Sequence, residues 1–477
     1  MGRTIVSNKG AEVLYAATLT ISNADKETIR EIKEDLTMTN PDYALKLAIG
    51  IPTWGIPSKL KLYKEDATGL HIPRGYMNRL EHHGIHMIFD YSTVVRSGRF
   101  PSAPKLREYQ AGAKETVKEH AQGVLMLPCG AGKTEIGMAI IEEHKQKTLW
   151  ITHTLDLLKQ SRDRAKTSLG LKDEELGLIQ GQNHIITDHI TFATVQTLSA
   201  MNKKELSELG QMFGCVIVDE CHLVFKDGVK VRMFEKVMDC MTARYRYGLT
   251  ASESRADGLI SSMHAIMGPV IFEVGQKELN DAGYVSVPSV RFIDHRLEYE
   301  ILGDMLNMQH LYSHIAEDTS RNNIIKCLIS ESLNAGRVIL VLGDRVDHLK
   351  SLCSEYPDGV IVHGKSGKKI RESALSDMKS GKKKILFATY QLAKLGLDIP
   401  ILSCLILASP KKDATSIQQA VGRVMRPAEG KPEPVVYDIF DKGVTQLRYW
   451  AYKRLKVYEK LGIKNIINNP KIKNRRV

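Results

Sequence analysis

The chain is poor in the features that would take it out of a reducing interior or into a bilayer. Its seven cysteines, at 129, 215, 221, 240, 327, 353 and 404, form no CxxC pair. Neither a zinc ribbon nor a disulfide framework is therefore indicated, and a reducing compartment is expected. No apolar run reaches the roughly 20 residues that a spanning helix needs, and no signal-peptide pattern opens the chain. Position six is Val6, where myristoylation would want Ser or Thr. These absences predict a soluble, cytoplasmic protein (host cytoplasm if phage-encoded) with no membrane partner and no structural zinc. A nuclease motif and a long partner-binding region are also missing, and nothing demands a ring, so a monomer is expected.

The 477 residues exceed one compact core and suggest about three domains. Apolar and charged residues make up 43% and 26% of the chain, which excludes wholesale disorder. The formal net charge of +12 favours a polyanionic partner. Much of the excess is local, since residues 448–477 carry ten Lys or Arg against a single acid, Glu459.

Buried-strand patterns alternate with helical ones from residue 104 onward. "GVLMLP" (123–128), "KTLWITH" (147–153), "ITFATV" (190–195) and "CVIVDE" (215–220) are the apolar runs of a first lobe. "RVILVLGD" (337–344), "GVIVHG" (359–364), "KKILFAT" (383–389), "SCLILAS" (403–409) and "PVVYDIF" (434–440) repeat the grammar in a second. Such alternation predicts parallel sheets covered on both faces. The expected fold class is therefore α/β, with two tandem lobes at 104–285 and 286–440. Residues 1–103, broken by prolines at 41, 52, 57 and 73, read as a small α+β accessory domain. Residues 441–477 read as a basic helical tail whose Leu447, Trp450, Ala451, Leu455 and Tyr458 form a packing stripe.

Three stretches carry chemistry. "LPCGAGKT" (127–134) follows a predicted strand and opens a predicted helix, the setting of a phosphate-binding loop. Gly130 and Gly132 would let backbone N–H groups approach phosphate, in a binding loop completed by Pro128, Cys129 and Ala131, with the positive helix end pointed at it. Lys133 would neutralise the β and γ phosphates and Thr134 would hold Mg²⁺. Leu127 stands where the strict pattern has its first glycine, which contributes least to phosphate contact. "VIVDECH" (216–222) sets Asp219 and Glu220 at the carboxyl end of a buried strand, where open α/β sheets bind ligands. Asp219 would hold Mg²⁺ through water, and Glu220 would polarise the attacking water. "QQAVGRVMRP" (418–427) carries Arg423 and Arg426, three apart and expected on one helical face, as suppliers of transition-state charge.

Together with "LREYQ" (106–110), "ATVQTL" (193–198), "LTAS" (249–252) and "ATYQLAKLGLDIP" (388–400), these stretches occur in the order of the superfamily 2 helicase motifs. Residues 104–440 resemble that family, with the DEAD/DEAH-type ATPase core. The phosphate loop resembles that of XPB-type helicases, and the broader likeness is to UvsW-like phage branch-migration helicases.

The resemblance implies two RecA-like lobes, ATP and Mg²⁺ as cofactors, and a DNA-tracking motor acting on forked or branched DNA, with residues 1–103 expected to bind DNA at a duplex arm or junction. By position it makes Arg107 and Gln110 an adenine-reading pair, and His222, Thr250 and Ser252 the coupling group. Gly396 and Asp398 fall in the element that touches nucleotide and nucleic acid, and Gln419 opens the sixth motif. Thr154, Thr194, Gln196, Arg345 and Thr389 fall where the family contacts the phosphodiester backbone. Leu395 and Ser252 depart from the commoner Glu and Thr. "DECH", "LTAS" and "QQAVGRVMR" look more like DNA translocases than RNA helicases. An RNA helicase and the motor subunit of a restriction or nuclease complex are the alternatives.

Overall fold

The computed structural model describes residues 10–85, 87–128, 130–223, 228–251, 260–299, 307–394 and 399–470. The chain forms two compact units, one of Met1–Pro128 with Gly132–Val274 and the other of Cys129–Ala131 with Gly275–Val477.

The first unit begins with β1 (Glu12–Tyr15), β2 (Thr18–Ser22), β3 (Thr37–Thr39), β4 (Lys59–Lys61), β5 (Lys64–Asp66), β6 (Gly69–Pro73) and β7 (Met87–Asp90). Five of these make a sheet in the order β5-β6-β2-β1-β7, and β3 pairs with β4 alone. Then come β8 (Gln122–Met126), β9 (Thr148–Thr152), β10 (Leu176–Gln180), β11 (Asn183–Ile185), β12 (Ile190–Thr194), β13 (Cys215–Asp219), β14 (Tyr245–Thr250) and β15 (Val270–Glu273). Their order is β11-β10-β12-β9-β13-β14-β8-β15, with β11 antiparallel to β10 and the other pairings parallel. Every residue of β8, β9, β12 and β13 is buried. Helices on both faces leave such strands no polar side, which is why their sequences are mostly apolar, with buried threonines such as Thr148 and Thr191 among them.

The amino-terminal sheet and the first lobe share one continuous apolar core, running from Val13, Leu19 and Ile32 to Val124, Leu149 and Met263. Two guanidinium groups complete the junction. Arg74, fully buried, donates to Gln122 Oε1 at 2.8 Å, Ala243 O at 2.6 Å and Arg244 O at 3.0 Å. Its plane lies 4.8 Å from the Tyr15 ring centroid. Arg246, on β14, donates back to Ala17 O at 3.1 Å and to Met241 O at 2.8 Å. Burial disfavours the charge on both, and at Arg246 the neighbouring Arg74 adds to it. Carbonyl oxygens stand in for a carboxylate here, so losing one guanidinium would strand several buried acceptors. Beside them the backbone approach is tight: a Cβ at Gly75 would stand 2.4 Å from both Gly268 N and His264 O.

The second unit adds β16 (Ser289–His295), β17 (Val338–Gly343), β18 (Gly359–Val362), β19 (Ile385–Thr389), β20 (Leu402–Leu407), β21 (Val435–Asp441) and β22 (Ile466–Ile467). They form a parallel sheet in the order β18-β19-β17-β20-β21-β16-β22. The helix Thr445–Lys460 buries Leu447, Trp450, Ala451, Leu455 and Tyr458 as its spacing predicts. Arg454 is buried with them and grips Asp438 through two bonds, of 2.8 and 2.6 Å, with the Tyr458 hydroxyl on the same carboxylate at 2.7 Å. One of the ten basic residues counted in this stretch is thus a core ion pair, not surface charge.

The tight junction yields a single-methyl test. Gly75→Ala drives a methyl into backbone atoms and is expected to lower stability by roughly 1–3 kcal/mol. Arg74→Ala should lower it by about 3–5 kcal/mol. Gly112→Ala, whose methyl would meet only Phe272 at 3.7 Å, should be neutral or stabilising. Urea unfolding of the three variants checks the ranking; a harmless Gly75→Ala would show that the junction is loose.

Candidate active site

Five adjacent strands of the first sheet, β12-β9-β13-β14-β8, end level with one another. Thr194 pairs with Thr152, Asp219 with Leu249 and Thr250 with Met126. Their carboxyl ends therefore line up Thr194, Thr154, Asp219 with Glu220, Thr250, and Leu127, the first residue after β8, along one edge. This is the edge where parallel α/β sheets hold ligands.

The loop leaves β8 through Leu127, whose N–H donates to Thr250 O at 2.8 Å; Pro128 behind it is buried. Gly130 and Gly132 have φ of +87° and +73°, conformations that glycine adopts without cost. Gly132 has a second reason to lack a side chain: its Cβ would stand 2.6 Å from Gln110 Nε2. Gln110, buried, is held by the Arg107 N–H on its Oε1 at 2.9 Å. The helix Lys133–His144 starts at Gly132 with no side-chain cap, so its leading N–H groups and dipole face the loop. Lys133 and Thr134 open its first turn, half-buried, next to Ala131.

Lys133 Nζ lies 3.2 Å from Glu220 Oε1. Glu220 has φ of +48°, a left-handed backbone unusual for a residue with a Cβ. Its own N–H donates to Asp219 Oδ1 at 2.9 Å, which holds the turn. Ser161 Oγ stands 3.5 Å from Asp219 Oδ2. Burial, and then the adjacent Glu220 carboxylate, push the Asp219 acid well above the ordinary carboxylate range, while Lys133 pulls the other way. Two crowded carboxylates beside one ammonium are short of positive charge, and a divalent cation fits that deficit. Asp219 and the Thr134 hydroxyl would be the donors for it. Among the described residues no group of three or more His, Cys, Asp or Glu forms a metal cage. Mg²⁺, which takes few protein ligands and keeps waters and phosphate oxygens, suits such a sparse set.

His222, buried, has Nδ1 3.0 Å from Thr250 Oγ1 and 3.4 Å from Glu220 Oε2. Thr250 thus touches two motifs, holding the loop strand with its carbonyl and His222 with its hydroxyl. Thr154 and Thr194 cap the helices Leu155–Leu169 and Val195–Ala200. Gln196 Nε2 meets His153 Nδ1 at 3.1 Å, tying the loops after β9 and β12 together.

On the second unit, Thr389 ends β19 and Arg345 follows β17. Arg345 donates to Gln309 O at 2.8 Å and Ser313 Oγ at 3.1 Å. Gln419 and Arg423 lie one turn apart on the helix Ala414–Val424. The expectation that Arg426 shares their helical face is corrected: the helix ends at Val424, with Met425 as its cap. Pro427 disfavours helical backbone at Arg426, and Lys431 takes up the Val424 and Arg426 carbonyls at 2.7 and 2.6 Å. Burial, and then Arg426, lower the Lys431 pKa to about 8. Cys129, Ser252, Gly396 and Asp398 lie outside the described residues. Sequence reasoning missed Ser161 and His153; a serine 58 residues before Asp219 carries no signal in the chain.

The family described as "Type III restriction enzyme, res subunit" matches residues 103–255, and "Helicase conserved C-terminal domain" matches 320–428. The "Putative ATP-dependent RNA helicase L396" of Acanthamoeba polyphaga mimivirus is 31% identical over 434 residues, covering 87% of this chain and 79% of the relative. The "DNA 3'-5' helicase XPB" of Kineococcus radiotolerans is 26% identical over 360 residues, covering 73% of this chain and 62% of the relative. The structure of S. cerevisiae Dbp5 bound to RNA and ADP BeF3 aligns with a TM-score of 0.54 at 14% identity, over 76% of this chain and 89% of Dbp5. That likeness shows the fold of two RecA-like lobes.

Thr250→Val keeps the shape of the side chain and removes the hydroxyl on His222. ATP turnover should fall by about 5- to 100-fold, the equivalent of 1–3 kcal/mol, with nucleotide affinity within about twofold of wild type. Turnover unchanged in a single-turnover assay would mean that the His222–Thr250 contact only packs.

Proposed function

The chain belongs to the superfamily 2 helicases, and we propose that it is a DNA motor that couples ATP hydrolysis to strand separation or remodelling of forked and branched DNA. One observation carries the chemistry: Lys133, Glu220 and Asp219 converge where the helix Lys133–His144 meets the end of β13. Lys133 and the leading N–H groups of that helix bind the phosphates. Mg²⁺, held by Thr134 and Asp219, supplies charge neutralisation on phosphate oxygens when bound. Glu220, kept off Asp219 by its left-handed turn, accepts hydrogen bonding from the attacking water and orients it. Arg107 and Gln110 bind the base, and Gly396 and Asp398 are assigned to nucleotide and nucleic-acid contact by the family resemblance. The same resemblance assigns Gln419, Arg423 and Arg426 to the nucleotide, the two arginines as sources of transition-state charge. Thr250, with His222 and Ser252, passes the state of the phosphates to the strand ends.

Thr154, Thr194, Gln196, Arg345 and Thr389 grip the phosphodiester backbone. Such contacts are independent of sequence, so affinity falls with salt. "DECH", "LTAS" and the DNA in the name of the XPB relative support DNA. The name of the mimivirus relative speaks for RNA, and the restriction-subunit description for a motor serving a nuclease. The protein acts as a cytoplasmic monomer.

Two substitutions separate binding from chemistry. Lys133→Ala should weaken nucleotide binding by roughly 10- to 100-fold. Glu220→Gln should bind ATP normally and lower turnover by roughly 10²–10⁴-fold. Both should abolish unwinding of forks and four-way junctions, on which the wild type should outpace blunt linear duplex. Equal wild-type rates on all three substrates would remove the branched-DNA assignment, and normal turnover in Glu220→Gln would remove the water-activating role.

A further inference from the structure

A surface arm in the amino-terminal sheet has no part in the site described so far. Residues 41–57, "PDYALKLAIGIPTWGIP", contain one acid, Asp42, and one base, Lys46. The base of the arm is fixed. β3 and β4 pair antiparallel beneath it, the Asn40 N–H donates to Ser58 O at 3.0 Å, and Asn40 Nδ2 donates to Pro57 O at 2.9 Å. Above that base the helix Pro41–Ala48 buries none of its residues. Leu45 and Leu47 are 62% and 63% exposed, Ile49 and Ile51 are also exposed, and Trp54 is 93% exposed. Contiguous apolar exposure of this kind marks a contact surface.

The arm's position says what it contacts. Between the arm and the first lobe runs a groove of about 570 Å³. Leu45, Lys46 and Ile56 form its arm wall, and His153 and Gln196 lie on the lobe side. These two are the residues that tie the loops after β9 and β12 together. Lys46 and Lys230 outnumber Asp42 around the groove. A strand whose backbone runs over His153 and Gln196 must turn its bases to one side. The arm wall of Leu45 and Ile56 is apolar, and Trp54, two residues before Ile56 on the same arm, presents an exposed indole without itself lining the groove. Cations along a backbone track with an aromatic platform beside it are how single strands are held without sequence preference.

We propose that this arm, with Trp54 as its stacking residue, receives the unpaired bases of the strand that lies on the first lobe. The inference rests on the nucleic-acid motor reading above and adds to it a binding surface for bases in the amino-terminal domain.

The three tryptophans make the test direct, because Trp150 is fully buried and Trp450 is 5% exposed, leaving Trp54 in solvent. The 477-residue chain is titrated with an oligothymidine and with an abasic deoxyribose-phosphate strand of equal length, following tryptophan emission. The oligothymidine should quench the emission and bind tighter than the abasic strand by roughly 5- to 100-fold. Trp54→Ala should abolish the quench and bring oligothymidine affinity down to that of the abasic strand. Its thermal midpoint should match the wild type, since Trp54 buries almost nothing, and Trp54→Phe should restore most of the affinity. Oligothymidine affinity unchanged in Trp54→Ala overturns the proposal. So does concentration-dependent self-association of the wild type that Trp54→Ala abolishes while strand affinity holds, because the arm would then seat a second copy. If the wild type binds neither strand and its ATP turnover answers to no nucleic acid, the motor reading itself fails, and this inference with it.

Discussion

The level, parallel register of β12, β9, β13, β14 and β8 is the constraint on which the rest depends. Parallel strands all end on one side, and the order of these five decides which loops become neighbours. β13 lies in the middle, so its Asp219 and Glu220 stand between the phosphate-loop strand and the two strands whose following loops carry Thr154 and Gln196. β14 separates β13 from β8, and its last residue, Thr250, bonds to both sides. A change in phosphate occupancy that shifts the loop or Glu220 has a two-bond route through Thr250. The left-handed backbone of Glu220 fits that picture, because strain of order 1–3 kcal/mol is kept where a side chain must be aimed.

The same sheet anchors the amino-terminal domain. β14 carries Thr250 at its carboxyl end and Arg246 near its start, so one strand serves the candidate site and the junction. Arg74 and Arg246 bury two like charges without a carboxylate, which is tolerable because each fork of N–H donors meets several carbonyls. Apolar side chains could not satisfy those carbonyls. The accessory domain is thereby part of the first compact unit, and the arm beside His153 and Gln196 has a fixed base from which to act.

Most strands that sequence reading finds are buried on both faces, where burial erases alternation and leaves a run such as "CVIVD"; β18, at a sheet edge with only Val362 fully buried, is found by its apolar run alone. β14, "YRYGLT", and β16, "SVRFIDH", escape such a reading. Each carries a residue buried by a partner distant in the chain: Arg246 by Ala17 at 3.1 Å and His295 by Asp441 at 2.8 Å. The phosphate loop and the Asp219–Glu220 pair are legible because their chemistry is local, a glycine turn before a helix and two carboxylates after a strand. Ser161, His153 and the junction arginines are not, since each acquires its meaning only from a residue far along the chain. Arg426 shows the converse. Its helical spacing from Arg423 is real in the sequence, but Pro427 ends the geometry that spacing implies.

A motor that reads the backbone of DNA is tested most directly by the steady-state ATP turnover of the 477-residue chain. Turnover is compared without polymer, with single-stranded DNA, with duplex DNA and with RNA of matched length, across a salt series. DNA should raise turnover well above the polymer-free rate, with the concentration needed rising steeply with salt, and RNA should raise it far less. No stimulation by DNA, or stimulation by RNA alone, would contradict the account.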